Sequence, residues 1–336
     1  MKTKHYGAVD GLRTIACIGI VMMHVSANSS YEIGGFVYNS IIPSFTNFVF
    51  LFMVISAFGM CCGYLDKFLN QQISLEDFYA KRYIRILPFF AALVFLDIVI
   101  SPSKAALIEG FADITLLFGL FPNEISVIGV GWFLGLIFAF YLIFPFYCVL
   151  IKNRKRAWAA FIVSVILNYI GGSYFSLNRT NIVYCMCYFL AGGVIYLYRK
   201  ELGEFSQKHW KLSLSGIFVC AVFYYKLGVN TFTLLLLSVA FLLYAIGRSG
   251  KSRILENRFT QFFSSISMEI YLSHMVIFRV IEKLGIHKLG GEEVKWLQYS
   301  VTVISVLVGT VILSVSFKKI FAVASNQMRI IKNTRI

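Results

Sequence analysis

The amino-acid sequence predicts an all-α protein, a polytopic membrane bundle of about ten transmembrane helices with both termini in the cytoplasm. Three observations lead there. Of 336 residues, 58% are hydrophobic and 14% charged, and the mean hydropathy is +0.75, whereas a water-soluble domain carries about 25% charged residues. Apolar windows of about 20 residues, enough for roughly 30 Å of hydrocarbon, centre near residues 20, 52, 94, 141, 163, 190, 219, 238, 271 and 308. Finally, 24 of the 31 Lys and Arg, from Lys2 and Lys4 to Arg335, fall at the two ends and in alternate connections. Lys and Arg are retained on the cytoplasmic side during insertion, so an even span count is expected. The windows use nearly the whole chain, and residues 1–336 read as one integral-membrane domain with no separate soluble domain. The net charge of +15 has the same origin. It reads as topology plus attraction to anionic membrane lipid, not as a nucleic-acid footprint.

The first window, residues 10–28, holds Arg13 and His24. Eleven residues at about 100° each return to within roughly 20° of one face, about 16 Å along a helix axis. Arg13 and His24 therefore share a stripe, with Asp10, Cys17 and Asn28 close to it, and such a stripe faces protein or water in a membrane. The run also has the basic start and small residues of a signal peptide, Ser26-Ala27. Cleavage would remove the stripe and leave an odd span count, so a retained helix is expected.

In the second window Ser56, Ala57 and Gly59 suit close helix packing. Ser74 and Asp77 then form a capping-box-like helix start, and Pro88 is expected to stop or kink that helix. Arg82 and Arg85 are three residues apart and share a face. Two readings stand: a headgroup-binding amphipathic surface, or an anion clamp, since two guanidinium forks suit a phosphate or pyrophosphate. Asp97 and Asp113 are expected where water reaches them.

Trp132 opens the fourth window as an interfacial anchor, and Pro145 marks a kink. Asn168 and Gly192-Gly193 fit either packing or a cavity wall. The seven cysteines lie in or beside apolar runs without C-x-x-C spacing, and read as small buried hydrophobes, with no metal site expected. The ninth window places Ser267, Tyr271 and His274 on one face and Glu269 at or near membrane depth. Ionisable groups there are functional candidates, with an interhelical hydrogen bond as the structural reading of His274.

Five motifs then occur in order: Asp10-Gly-Leu-Arg13 with Ala16 and His24; Phe52-Met-Val-Ile-Ser56; Lys81-Arg82-x-x-Arg85-Ile-x-Pro88; Trp132-Phe-Leu with Phe140-Tyr-Leu-Ile-Phe-Pro145; and Ser267-Met-x-Ile-Tyr-Leu-x-His274. Together they resemble the acyltransferase 3 family of membrane proteins, collinearly over about the whole chain. The resemblance implies a stand-alone membrane O-acyltransferase of bacteria, seated in the cytoplasmic membrane and acetylating or otherwise acylating carbohydrates of the cell surface. Two departures matter. Relatives often carry a glutamate after the tryptophan, where Ile137 and Phe138 stand, and a glycine after the serine, where Ala57 stands.

The chemistry fits these residues. Acyl transfer to a sugar hydroxyl requires the hydroxyl proton to be removed as the carbon–oxygen bond forms, work suited to histidine. His24 is the candidate base, with a covalent acyl-histidine as a variant, and Arg13 shares the catalytic stripe. Arg13, Arg82 and Arg85 are the candidate phosphate contacts for acetyl-CoA or another acyl-CoA on the cytoplasmic side. Tyr271, His274, Glu269 and Trp132 are candidate contacts for the carbohydrate acceptor. The alternative from another class is a transporter or flippase of a lipid-linked sugar or small solute, with His24 and Glu269 carrying protons. No inverted repeat is evident, and no oligomer is predicted.

Overall fold

A computed structural model describes residues 5–100, 102–120, 128–289 and 294–334. Lys2, Lys4 and Arg335, counted above among the cytoplasmic charges, lie outside them. Thirteen longer helices account for most of the described chain: α1 Gly7–Ala27, α2 Phe48–Met60, α3 Leu75–Ile100, α4 Lys104–Thr115, α5 Trp132–Leu150, α6 Arg154–Tyr174, α7 Ile182–Leu197, α8 Arg199–Lys208, α9 Trp210–Leu227, α10 Thr231–Arg248, α11 Arg258–Ser265, α12 Ser267–Lys283 and α13 Lys295–Thr334. Among the described residues there is no strand. Polar side chains start several of these helices. Ser74 Oγ accepts the Asp77 N–H at 3.0 Å ahead of α3, Asn153 Oδ1 accepts from Arg156 at 3.0 Å ahead of α6, and Asn230 forms a capping box with Thr233 ahead of α10. Each satisfies an amide that the first helical turn leaves without an intrahelical acceptor.

The helical membrane fold is as the sequence predicts. All ten centres fall in helices, and among the described residues seven helices are long and apolar enough to cross a membrane, or eight spans if α7 and α8, bent by 79°, form one. Helices α12 and α9 fall short of this for physical reasons. Helix α12 has 17 residues and follows a break at Ile266, so it rises about 26 Å against roughly 30 Å of hydrocarbon. Helix α9 has 18 residues with Lys211 and Lys226 near its ends. Pro88 does not stop its helix, because α3 runs through it to Ile100; a proline is tolerated inside a membrane helix when neighbours re-satisfy the freed carbonyl. Asp113 is not water-exposed either. It is 0% exposed on α4, which packs against α3 with Gly110 beside Ile98.

The chain divides into two compact units. The first comprises residues 1–16 and 47–264, the second residues 17–46 and 265–336. In the first unit α6 and α2 both pack on α7, and α8 and α9 on α10. A side chain at Gly192 would collide with the α2 backbone at Val54 and with Ala57. The Ala57 surface and Gly192 are therefore a close helix contact, as small residues permit in membranes. Asn168 is likewise structural, donating to the Tyr184 carbonyl and accepting from Thr231 Oγ1, both at 2.7 Å. Around them lies an aromatic core in which Phe140 stacks on Phe189 and the Tyr147 hydroxyl donates to the Phe189 carbonyl. In the second unit α12 packs along α13, with Gly309 against Ile277. All seven cysteines are free, and five are buried.

Candidate functional site

The first unit gathers the predicted arginines. On the first turns of α1, Arg13 Nη1 donates to Asp10 Oδ1 at 3.2 Å and to Ser264 Oγ at 3.1 Å, while Ser264 Oγ donates to the same carboxylate oxygen at 2.8 Å. The guanidinium is thus held by one carboxylate on its own helix and one hydroxyl at the end of α11. Arg85 and Tyr141 lie within electrostatic reach of it. Arg82, one turn before Arg85 on α3, lies over the rings of Tyr64, Tyr141 and Phe78, 4.8, 5.6 and 5.9 Å from their centroids, and bonds the Tyr64 hydroxyl. Tyr64 belongs to a π-helical stretch, Cys61–Leu65, that follows α2. Its aromatic shelf fixes the plane of the fork, as cation–π geometry favours for arginine. Arg82 Nε is buried and has no hydrogen-bond partner. A planar donor left unmatched in that way suits an anionic oxygen.

The second unit holds the histidines, and here the structure joins two residues that the sequence places separately. His274 Nε2 and His24 Nδ1 are 2.9 Å apart, with ring centroids at 4.8 Å. His274 Nδ1 is 2.6 Å from the Tyr271 carbonyl oxygen. A carbonyl can only accept, so Nδ1 of His274 carries the hydrogen, and in the neutral ring Nε2 is then an acceptor. His24 Nδ1 must therefore donate to it. The basic lone pair of His24 is thereby assigned to Nε2. His274 is 1% exposed, whereas His24 is half-buried, so of the two only His24 presents surface to a reactant.

The remaining predicted residues divide between the units. Glu269, 8% exposed at its side chain, pairs through Oε1 with Lys318 Nζ on α13 at 2.9 Å, and Lys318 also donates to the Ser265 carbonyl at 2.8 Å. Glu269 Oε2 is buried without a partner. Sequence reasoning missed Lys318, which reads as one more topological charge, and missed Tyr64, whose neighbours carry no motif. Tyr271 contributes its carbonyl to His274, and the ring centroids of the two are 5.9 Å apart. Trp132 belongs to the first unit, where Arg179 lies 5.2 Å from its ring centroid. It is the one predicted acceptor contact outside the second unit.

A family model described as an acyltransferase domain, that of the acyltransferase 3 family, matches residues 6–318, nearly the whole chain. No curated protein and no solved structure matches it.

Proposed function

The chain belongs to the acyltransferase 3 family and is a multi-pass membrane acyltransferase, and from that premise we propose that it moves an acetyl or other short acyl group from acyl-CoA to a hydroxyl of a cell-surface carbohydrate or its precursor. The observation that carries this reading is the His24–His274 pair. His24 Nε2 takes the proton of the attacking hydroxyl while its Nδ1–H stays on His274 Nε2, and the Tyr271 carbonyl holds His274 in the tautomer that can accept. This is the arrangement of a general base and the group that orients it. His24 then returns the proton to the departing thiolate, so the base ends as it began.

Acyl-CoA, when bound, supplies the thioester carbonyl that the hydroxyl attacks. The residues for its phosphates are Arg82, Arg85 and Arg13, and they fit: Arg85 lies within electrostatic reach of Arg13, and the buried Arg82 N–H is unmatched. The charge asymmetry supports a cytoplasmic position for these arginines, on the side where acyl-CoA is found, and the family resemblance supports a bacterial cytoplasmic membrane. Reporter fusions after Lys152 and Arg253 should read cytoplasmic and fusions after Tyr31 and Ser173 external; a single reversal overturns that orientation.

The activity is tested with purified protein, labelled acetyl-CoA and a set of carbohydrate acceptors. Label is expected on an acceptor hydroxyl. Label that stays on the donor under all conditions, with a pH-driven flux of sugar across vesicles in its place, overturns the enzyme reading.

A further inference from the structure

Four aromatic rings of the second unit play no part in the proton chemistry. Tyr38 lies edge-on to Trp296 and to Tyr299, with centroids 5.8 and 5.5 Å apart. Tyr299 lies edge-on to Trp296 at 5.9 Å and to Tyr31 at 6.1 Å. The cluster is tied to the base by its own hydrogen bond: the Tyr299 hydroxyl donates to the Met22 carbonyl at 2.9 Å, two residues before His24. Tyr31 shares a hydroxyl hydrogen bond of 2.6 Å with Thr302. The Tyr38 hydroxyl is buried and has no partner.

Tyr and Trp often anchor membrane proteins at the lipid–water boundary, but anchors face outward. Tyr31, Tyr38 and Tyr299 are 6%, 8% and 3% exposed, and only Trp296, at 45%, offers a ring to a ligand. Tyr38 also sits on a π-helical turn, Val37–Ile41, a rare geometry that is frequent at functional sites. The one cation beside Trp296 in sequence, Lys295, is paired with Glu32 at 3.2 Å, so the cluster is not built for a phosphate.

We infer that this cluster is the acceptor's carbohydrate subsite, with a pyranose ring lying on Trp296 and one of its hydroxyls bonded to the Tyr38 hydroxyl. The inference rests on the carbohydrate reading proposed above. A pyranose face carries C–H groups of slight positive charge, which the negative face of an aromatic ring attracts. Its hydroxyls need partners, and a buried orphan phenol is a donor and acceptor waiting for one.

The test is saturation-transfer NMR on the full chain in lipid nanodiscs, with methyl hexopyranosides and their 2-acetamido counterparts as probes and sorbitol as the acyclic control. The wild type should transfer saturation to the ring C–H protons of at least one glycoside and not to sorbitol. Trp296→Leu should weaken that contact by about tenfold and Trp296→Phe much less, as expected for a lost stacking contact. Tyr38→Phe should weaken it about two- to tenfold, one hydrogen bond's worth. Binding of labelled acetyl-CoA reports that each variant is folded. No glycoside signal in the wild type, equal signal from sorbitol, or an unchanged signal in Trp296→Leu overturns the subsite. Glycoside contact that follows these variants in a protein with no acyl transfer upholds the subsite and overturns the catalytic reading instead.

Discussion

In the first unit Arg13 is paired with Asp10 and lies within electrostatic reach of Arg85, and an aromatic shelf holds Arg82 in plane. In the second unit Glu269 pairs with Lys318, and a directional relay runs from the Tyr271 carbonyl through His274 to His24. The contrast separates two tasks. A surplus of fixed positive charge recognises an anion and needs no proton movement. A neutral pair with assigned hydrogens can move a proton and recognises nothing by charge. Variants in the two regions should therefore fail in different kinetic parameters.

The largest expected effect is at His24. His24→Ala should lower turnover by about 10²–10⁴-fold, the usual loss with a general base, and His24→Gln should not restore it, because an amide takes up no proton near neutral pH. Turnover of purified variants, with protein in the membrane quantified, checks this. His274 acts through His24 as a positioning residue, so His274→Ala should cost about 10–100-fold in kcat, as when the orienting partner of a histidine is removed. His274→Gln should recover part of it, since its Oε1 can accept the His24 Nδ1–H. A structural role would show instead as lost protein with unaltered kcat.

Arginine variants should move the other parameter. Arg82→Ala or Arg85→Ala should raise the donor KM by about one to two orders of magnitude, from about 1.5–3 kcal/mol per charged hydrogen bond, and lysine should rescue only partly because it loses the fork. Donor saturation curves that do not shift return these residues to headgroup anchoring. The smallest effect tests the aromatic shelf. Tyr64→Phe keeps the ring over Arg82 and removes one hydroxyl, so the donor KM should rise only about two- to tenfold.

Much of this architecture was legible in the sequence because it is local. The Arg13 and His24 stripe lies on one helix, and the Ser74 cap acts within three residues of itself. The His24–His274 bond links positions 250 residues apart, and no periodicity connects them; each reads only as a histidine in an apolar run. Lys318 was hidden for a related reason, since a lysine just beyond an apolar window satisfies the charge rule whether or not it pairs with Glu269. Helix lengths and breaks were not legible, because a hydropathy window measures composition and is blind to geometry. It sees neither the bend of 79° between α7 and α8 nor the break at Ile266 that leaves α12 short.

The central claim, that the arginines bind the donor and the histidine pair moves the proton, is tested most directly by one steady-state measurement with labelled acetyl-CoA and an acceptor on wild type, Arg82→Ala and His24→Gln. Arg82→Ala should show a donor KM about one to two orders of magnitude higher with kcat nearly kept, and His24→Gln a donor KM near the wild-type value with kcat lower by about 10²-fold or more. A His24→Gln protein that turns over at the wild-type rate, or an Arg82→Ala protein whose only defect is in kcat, contradicts it.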